Sequence, residues 1–560
     1  MSSRSRRLVD LARSMANDFL IDSESDDFDS DDSIHDKKYL PSSSLDANAN
    51  IPISETEEEE EEVSRCDSGS SWGSIKSSNP EFQEFNNAES TFNLNTTIKE
   101  VLEAYQVFVN DELIDLIVKE TNRYAQQLIL KKHSSKSRIS FWKNTDREIK
   151  NFFAVVLTMG LVQISNINLY WCKDPIYHNS FISSLMSRDR FLLLLKCLHF
   201  SNNEDDTNKQ NRLRKIEPLI GILTKNFSSV ISHGKELVID ESLIPFRGRL
   251  IFRQYIPNKA HKYGIKIYKL CTPQGYTSNF IIYAGKGSTD KFRTCRNRVR
   301  KLLEKIGDGE GRTLYADNFY SNLPLAQHLY EKFYCGTLRS NRRGLPKPLV
   351  TKKLKKGEII GQEYNKIKII KWQDKRPVLM LTTVASHDDS LINSGRCNRN
   401  GEPIRKPNCV LDYNKAKQGV DLSDQMSSYS TVLRKGTKWY RKLAFELLFG
   451  TSLVNAWVLY NTISINTKIG ITEFRRILTH SLAENKLEDK SPSNKRAHTF
   501  IKPEGPGRKK RKACVGCYKL LCETMSSREA DKQVRRIISF CQECEGQPGY
   551  CLNCFNLNHK

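Results

Sequence analysis

The spacing of apolar residues changes twice along the chain, and these changes divide it into segments. Between residues 95 and 235 apolar residues recur at helical spacing, and Thr145–Glu148 fits the capping-box pattern before the apolar stretch Ile149–Met159. From Glu236 the period becomes that of strands, and after Tyr429 it returns to that of helices. The pattern therefore predicts one helical domain that is interrupted by a strand-rich domain.

The strand-rich part begins with three predicted strands and continues with a fourth that ends in an aspartate. The four apolar runs are Leu237–Ile239, Tyr263–Leu270, Phe280–Ala284 and Thr313–Ala316. A helix over Pro324–Tyr330 and a strand over Tyr334–Leu338 follow them. This order of elements is consistent with a ribonuclease-H-like α/β core.

Composition and period together set the predicted domain boundaries. Residues 1–94 are rich in Ser, Asp, Glu and Asn, so we expect an acidic disordered region. About 104 residues separate Asp317 from Asp421, which is more than an α/β core of this kind needs, and this predicts an insertion. The other predicted segments are a helical domain at 95–235 and 431–480, an α/β core at 236–343 and 408–430, the insertion at 344–407, a basic linker at 481–512 and a cysteine-rich domain at 513–560.

The charge of the chain is strongly positive and unevenly distributed. The formal net charge of the 560 residues is +23, although the stretch between Asp22 and Glu62 holds about 16 acidic residues against two lysines. The rest of the chain therefore carries an excess of about +37, which favours a polyanionic partner such as double-stranded DNA. A generally basic surface, as in ribosomal proteins, would give the same composition.

Targeting signals add little to this picture. The sequence has no run of 18 apolar residues and no signal-peptide pattern at its start, so we expect no membrane span and an intracellular protein with reduced thiols. The basic cluster Arg508–Lys512 is a candidate for nuclear localisation or for phosphate binding, and a solvated charge run is an equally good interpretation.

Four aspartates stand where a metal-binding carboxylate would be held rigidly. Asp240 and Asp317 each follow a short apolar run, and Asp421 and Asp424 lie about one helical turn apart in a third acidic stretch. Taken singly, an aspartate at a strand end is more often a turn residue. If the three segments converge, they predict a hard-oxygen site for two Mg²⁺ ions, with Asp240, Asp317 and Asp421 as ligands and Asp424 as a fourth ligand or a supporting group.

Basic residues near the first aspartate are candidates for contacts with DNA phosphates. They are Arg247, Arg249, Arg253, Lys259 and Lys262. For Arg253 and the two lysines, a solvated surface charge is an equally good interpretation.

Cysteines near the C-terminus have the spacing of metal ligands. Three Cys-x-x-Cys pairs, a further cysteine and a histidine make eight candidate ligands, namely Cys514, Cys517, Cys522, Cys541, Cys544, Cys551, Cys554 and His559. This pattern predicts about two tetrahedral zinc sites. His498 is an alternative to Cys522, and disulfide bonds or a RING-like interaction module are alternatives to the assignment as a whole.

Several motifs, spread over residues 95–560, resemble piggyBac-type transposases. They occur in the order of that family and are Val238–Ile267, Asp317–Ser321, Gly336–Asn341 and Gly419–Met426. The resemblance implies a ribonuclease-H-like core whose acidic triad is Asp240, Asp317 and Asp421. It also implies a helical domain for dimerisation and DNA binding, and a cysteine-rich domain that recognises the transposon ends.

The resemblance further implies a reaction and its setting. A homodimer in the nucleus would hydrolyse the 3′ ends of a transposon, let the freed 3′-hydroxyl attack the other strand, and insert the element at TTAA-type targets. Arg339 and Arg342 fall in the family's Arg-Ser-Asn-basic motif, which implies contacts with target or flanking DNA, and Arg342 stands where a lysine is common. The alternative is a domesticated, transposase-derived nuclear DNA-binding protein without transposition activity.

Overall fold

A computed structural model describes most of the chain from residue 72 onwards. The described residues are 72–75, 85, 89–94, 98–131, 138–205, 210–257, 261–285, 294–306, 311–329, 333–464, 468–483, 499–503, 511–542, 544 and 546–558. The expectation of disorder over 1–94 falls largely outside them. The chain divides into two compact units, Met1–Ala483 and Glu484–Lys560, and each is described by itself.

Helices that precede and follow the central sheet in the sequence build the helical part of the first unit. Those before the sheet are Val101–Gln106, Asp111–Lys131, Glu148–Leu161, Ser180–Leu185, Arg188–Cys197 and Glu217–Ser229, with 3-10 turns at Arg138–Phe141 and Ile167–Trp171. Those after it are Trp439–Phe445, the π-helical turn Glu446–Thr451, Ser452–Ile463 and Ile471–Ala483. Two short strands, β1 (Thr91–Phe92) and β2 (Ile231–Ser232), pair antiparallel with each other, and β2 directly precedes the central sheet in the chain.

The two sets of helices share one apolar core. The rings of Phe153 and Phe449 meet edge-on at 5.0 Å, and the Tyr105 hydroxyl donates to the Leu448 carbonyl at 3.1 Å. The chain therefore returns, after the sheet, to the helices that it left before it.

The helix Glu148–Leu161 begins without the predicted capping box. Its N-cap residue is Arg147, whose side chain makes no capping hydrogen bond. Thr145 instead exchanges two hydrogen bonds of 2.8 Å, through its backbone, with the side chain of Asn122. Most of the helix is buried, so packing rather than capping holds it in place.

One continuous helical stretch, Trp439–Ile463, is long and apolar enough by length and composition to cross a membrane. Of the most apolar 18-residue window in this stretch, 83% is buried inside the protein. Trp439, Leu443 and Leu453 on this stretch belong to the shared apolar core. Its burial is that of a core helix.

A mixed sheet of nine strands forms the centre of the first unit. The strands are β3 (Glu236–Pro245), β4 (Gln254–Tyr255), β5 (Tyr263–Cys271), β6 (Thr277–Ile282), β7 (Thr313–Ala316), β8 (Phe333–Thr337), β9 (Ile359–Tyr364), β10 (Ile367–Gln373) and β11 (Pro377–Thr382). Their order is β4-β5-β3-β7-β8-β11-β10-β9, and β6 also pairs with β5. The pairs β3–β7 and β7–β8 are parallel, and the other pairs are antiparallel.

The first strand of the sheet is longer than the sequence predicts. β3 continues to Pro245, so Asp240 lies in its middle rather than at its end. The parallel ladder with β7 stops at Ile239, whereas the antiparallel ladder with β5 continues along the whole second half of β3. Asp240 therefore marks the point where one neighbouring strand ends, and this is why the apolar pattern also stops there.

Five helices accompany the sheet. They are Cys295–Leu303, Leu323–His328, Lys347–Thr351, Asn408–Ala416 and Gly419–Ser428. The first was not predicted, because its arginines and lysine mask a buried stripe that contains Val299 and Leu302. Its start is capped by Thr294, which accepts a hydrogen bond from the Asn297 N–H.

Part of the segment predicted as an insertion continues the sheet. β11 pairs antiparallel with β8, and β10 and β9 follow outwards from it. A hairpin of β12 (Leu391–Cys397) and β13 (Pro403–Pro407) then leads into the helix Asn408–Ala416.

The second unit is small and has little apolar core. Its elements are β14 (Phe500–Ile501), β15 (Lys512–Ala513), β16 (Arg536–Ile537) and β17 (Phe540–Cys541), with the helices Val515–Leu521, Ser527–Gln533 and Leu552–Asn558. The buried residues of its core cluster are Cys514, Cys541, Tyr550, Cys554 and Phe555. Three of these five are cysteines, so much of the interior consists of thiols.

Candidate functional site

Asp240 lies within β3, and Asp317 directly follows the neighbouring parallel strand β7. Ile239 of β3 is in register with Ala316 of β7, so the two aspartates are the next positions along each strand. Neighbouring strands are about 4.8 Å apart, which brings the backbones of these two residues side by side in the middle of the sheet, at the C-terminal end of β7. Both side chains are half-buried.

Hydrogen bonds within the loop after β7 fix the position of Asp317. One Asp317 carboxylate oxygen accepts the Phe319 N–H at 2.8 Å, and the Asp317 carbonyl accepts the Ser321 hydroxyl at 2.9 Å. Ser321 also contacts the Tyr334 hydroxyl at 2.7 Å. Gly336 allows this approach, because a Cβ there would lie 2.6 Å from both the Ala316 carbonyl and the Ser321 hydroxyl.

Arg339 and Arg342 contact the same loop. Arg339 Nε donates to the Asn318 side-chain oxygen at 2.8 Å. Arg342 Nη2 donates to the carbonyls of Asn318 and Phe319 at 3.1 and 2.7 Å. Arg339 is exposed and Arg342 is half-buried, so the two residues that we expected on DNA also support the Asp317 loop, and Arg342 does so through two backbone contacts.

Glu241 is a charged neighbour that the sequence analysis missed. Burial raises the pKa of Asp317, and the nearby carboxylate of Glu241 raises it further. Glu241 accepts the Tyr320 hydroxyl at 3.3 Å and lies 4.0 Å from Lys266 Nζ, which stacks at 4.5 Å over the Phe319 ring. The signal in the sequence was the second acidic residue directly after Asp240, and the structure places it half-buried inside β3.

The helix Gly419–Ser428 packs over the sheet and is anchored by Asp424. One Asp424 oxygen accepts the Ser242 hydroxyl at 2.6 Å and Lys269 Nζ at 2.9 Å. Because side chains alternate along β3, Ser242 and Asp240 face the same side of the sheet, which is the side that this helix covers. Asp421, in the first turn of the helix, is exposed.

Lys269 belongs to a buried charged network that the sequence did not indicate. Burial lowers the pKa of Lys269, but Asp424 and Glu446 outweigh this effect and raise it. Glu446 begins the π-helical turn and accepts the Ser427 hydroxyl at 2.7 Å. Burial raises the pKa of Glu446, and Lys269 partly offsets that rise. The network joins the helix carrying Asp421 to the helical core.

The other basic candidates differ in their surroundings. Arg247, Arg249 and Lys262 are exposed, and Lys259 lies outside the described residues. Arg253 stacks at 5.0 Å over the Tyr263 ring and donates to the carbonyls of Arg247 and Gly248 at 3.2 and 3.3 Å. It therefore shapes the turn that carries the exposed arginines.

Four cysteines of the second unit converge on one point. The Sγ atoms of Cys514, Cys517, Cys551 and Cys554 all lie within 4.8 Å of one another. Burial raises the pKa of the Cys514 thiol, but backbone N–H groups of Cys517 and Cys551 outweigh this effect and lower it to about 7. Four thiols at this spacing fit a tetrahedral zinc ion.

The other predicted zinc ligands are not part of this cluster. Cys522 is exposed at the end of the helix Val515–Leu521, and Cys541 and Cys544 lie elsewhere in the unit. His559 and His498 lie outside the described residues. The second predicted zinc site therefore stays a prediction.

The two sets of candidate metal ligands are gathered to different degrees. Over the described part of the chain, the four cysteines are the group of Cys, His, Asp or Glu side chains close enough to hold a metal ion. The aspartates bring hard oxygen donors to one face of the sheet without that convergence. Their donor type fits Mg²⁺, and the pKa of Asp317 is raised first by burial and then by the carboxylate of Glu241.

Comparisons with known proteins agree on one family. A family model described as Transposase IS4 matches residues 102–457. The chain is 27% identical over 409 residues to human PiggyBac transposable element-derived protein 3, covering 69% of this chain and 65% of that protein. It is 23% identical over 401 residues to human PiggyBac transposable element-derived protein 2, covering 69% and 66%. The alignments thus span slightly less than two thirds of each relative.

A solved structure is similar over most of the chain. It is described as the cryo-EM structure of the piggyBac transposase synaptic complex with hairpin DNA. The TM-score is 0.62 at 25% sequence identity, and the match covers 82% of this chain and 98% of that one.

Proposed function

The chain belongs to the piggyBac-type transposases of the Transposase IS4 family, and from this premise we propose that it is a metal-dependent DNA transposase. One observation carries the proposal: Asp240, in β3, and Asp317, directly after β7, lie side by side where these parallel strands stop pairing, and the helix with Asp421 covers the same face of the sheet. The order β6-β5-β3-β7-β8, with helices on either side of β7 in the chain, supports a ribonuclease-H-like core.

The four aspartates divide into three proposed metal ligands and one positioning residue. Asp240, Asp317 and Asp421 would hold Mg²⁺, which supplies charge neutralisation at the attacking and leaving oxygens of a phosphodiester. Asp424 positions Asp421, because its oxygen already binds Ser242 and Lys269. Arg342 positions Asp317 through the loop carbonyls. The exposed arginines 247 and 249 face outwards, where they would bind the DNA backbone.

The reaction that we propose is excision followed by insertion. Water cleaves the phosphodiester at each 3′ end, and the freed 3′-hydroxyl attacks the other strand, which closes a hairpin on the element and releases the flanking DNA with its own 3′-hydroxyl. A second hydrolysis opens the hairpin, and the regenerated 3′-hydroxyl attacks a phosphodiester of TTAA-type target DNA. The basic excess of the chain supplies salt-dependent DNA affinity. We propose that a homodimer acts in the nucleus, and that the zinc-loaded second unit recognises the transposon ends.

An excision assay with the native flanking DNA tests this function. The full chain with Mg²⁺ should release a 3′-hydroxyl at the end of the element, and EDTA should abolish this product. Glu473→Gln, which changes an exposed carboxylate paired with Arg476, is the matched control and should cleave normally. A folded, DNA-binding chain that never cleaves its own ends would contradict the transposase activity.

That outcome would favour the second candidate, a transposase-derived DNA-binding protein. The names of the human relatives, which describe them as transposable element-derived, are the observation behind it.

A further inference from the structure

Residues 72–75 lie on the outer edge of the nine-stranded sheet, within a region for which the sequence predicts no structure. The Gly73 N–H donates to the Glu363 carbonyl at 3.0 Å, and the Glu363 N–H donates to the Gly73 carbonyl at 2.9 Å. The two residues form an antiparallel bridge, and β9, which contains Glu363, stands at the end of the strand order. The segment therefore pairs with backbone groups at a strand edge that would otherwise be open.

The side chains of Trp72 and Ile75 pack against this edge from opposite faces of the sheet. The Trp72 ring lies 5.7 Å from the Tyr364 ring and packs against the apolar cluster that contains Ile367 and Ile369. Ile75 packs against the other cluster, which contains Ile370 and Trp372. Neighbouring residues of one strand point to opposite faces, so the two clusters lie on the two sides of β10. Trp72 and Ile75 are both half-buried.

The strand edge has a space that fits Ile75. A Cβ at Gly361 would overlap Ile75 Cδ1 and would lie 2.9 Å from Asp389 Cβ. In contrast, a Cβ at Gly73 would meet no atom within 4 Å, so that position tolerates a side chain. Shape complementarity therefore resides in the pair Gly361–Ile75, and Gly73 contributes its backbone groups.

We propose that the edge of β9 is a peptide-binding site that works by strand addition, and that residues 72–75 are its ligand, docked within the same chain. Main-chain hydrogen bonds give such sites their affinity and side-chain pockets give their specificity, which is the division seen between Gly73 and the Trp72 and Ile75 contacts. A tethered ligand has an effective concentration in the millimolar range, so a weak contact suffices to keep the edge covered. The site recognises an extended peptide with an aromatic residue three positions before a β-branched aliphatic one.

Peptide binding to the full-length chain tests the proposal. The variant Trp72→Ala/Ile75→Ala vacates the edge without changing the sheet. A fluorescent peptide of residues 68–79 should bind this variant at least about tenfold more tightly than the wild-type chain, whose own segment competes. Gly361→Ala added to the vacated variant should weaken the peptide about tenfold, and a peptide with Ile75→Ala should not show that further loss.

A matched pair of peptides separates backbone pairing from general stickiness. The Gly73→Pro peptide lacks the N–H that Glu363 accepts and should lose binding, whereas the Gly73→Ala peptide should bind like the original. Equal binding of these two peptides, or equal binding of the original peptide to vacated and wild-type chains, would overturn the proposal.

Hydrogen exchange gives a reading that does not depend on the vacated variant. In the full chain, Gly73→Pro should remove the protection of the Glu363 amide while Gly73→Ala leaves it. An unprotected Glu363 amide in the wild-type chain would also overturn the proposal.

Discussion

The two candidate metal sites are built in opposite ways: one is the cysteine module (Cys514, Cys517, Cys551 and Cys554), and the other is the aspartate face of the sheet (Asp240, Asp317 and the covering helix with Asp421 and Asp424). In the module, four thiols lie within 4.8 Å of one another and two of them belong to the buried core. In the first unit, Asp240 lies in β3 and Asp317 directly after β7, both half-buried beside apolar clusters that other residues form, and Asp424 accepts hydrogen bonds from Ser242 and Lys269. The cysteines are part of the interior of their unit, whereas the aspartates are half-buried or exposed charges on a sheet whose apolar core other residues form.

The difference follows from the charge of the ligands. Protonated thiols are neutral and can share one interior, but without a metal they hold one another only weakly, whereas neighbouring carboxylates repel one another and raise each other's pKa. The ammonium group of Lys269 offsets the negative charge of Asp424. Backbone N–H groups and the charge of Arg339 offset that of Asp317. The sheet should therefore fold without metal, and the cysteine module should not.

Removing zinc should produce the largest effect. Chelation, or Cys551→Ser, removes a ligand of a site that replaces most of the apolar core of the second unit, and structural zinc is worth about 10–16 kcal/mol in small modules. We expect amide protection in the helices Val515–Leu521 and Leu552–Asn558 to disappear while protection in the sheet persists. Hydrogen exchange of the full chain measures both.

Cys522→Ser is the matched control for the zinc prediction. This cysteine is exposed and lies outside the cluster, so the variant should keep its zinc and its protection. Loss of zinc from this variant, or persistence of the module's protection after chelation, would contradict the contrast between the two sites.

Loss of a proposed Mg²⁺ ligand should come next in size. Asp240→Ala, Asp317→Ala and Asp421→Ala should each lower the rate of end cleavage by about 10³-fold or more, as removal of one member of a catalytic set does in other enzymes. Binding to end DNA should change little, because cationic contacts supply most of the affinity. Cleavage gels and binding isotherms on the same protein preparations give the two quantities, and full cleavage by any one variant removes that residue from the site.

The Lys269–Asp424 pair should affect stability more than chemistry. Lys269→Met leaves Asp424 without its ammonium partner. Breaking a fully buried pair costs about 3–5 kcal/mol, and the cost here should be smaller because the Asp424 side chain is 34% exposed. The double variant Lys269→Met/Asp424→Asn should recover much of that loss in urea unfolding, and should recover end cleavage with it. Recovered stability without recovered cleavage would make Asp424 a metal ligand instead of a positioning residue.

The arginines of the Asp317 loop should give the smallest effect. Arg342→Ala removes two hydrogen bonds to loop carbonyls and should slow end cleavage by about tenfold, equivalent to about 1.4 kcal/mol. Arg342→Lys should recover only part of the cleavage rate, because an ammonium group keeps the charge but cannot bind two carbonyls with the geometry of a guanidinium group.

Arg339→Ala changes an exposed position and should reduce capture of target DNA more than nicking. A pre-nicked substrate separates the steps. Loss of both steps in Arg342→Ala is expected of a residue that positions Asp317, whereas loss confined to target capture would place that residue on DNA.

The sequence predicts the local parts of this fold better than the contacts between distant parts. Apolar runs that end in aspartate located β3 and β7, and ligand spacing located the cysteine module, because each signal lies within a few residues. The pairing of Lys269 with Asp424 joins positions 155 residues apart and leaves no local trace. Which of the cysteines share a metal is likewise set by the tertiary fold.

Two errors of the sequence analysis have a common cause. Asp240 was expected at a strand end because one neighbouring strand stops there, although the other continues. Residues 72–75 were expected to be disordered because their own composition is polar, although the apolar contacts that hold Trp72 and Ile75 come from the sheet. In both cases the deciding partner is remote in sequence.

Counting Mn²⁺ ions on the zinc-loaded full chain bound to end DNA tests the central claim most directly. Electron paramagnetic resonance on the wild-type chain should show about two tightly bound Mn²⁺ ions per chain in place of Mg²⁺. Asp240→Ala should lose both ions while keeping its zinc and its melting temperature, because the aspartate site is separate from the fold that carries it. An unchanged Mn²⁺ count in Asp240→Ala would contradict the assignment of the metal to the aspartate face of the sheet.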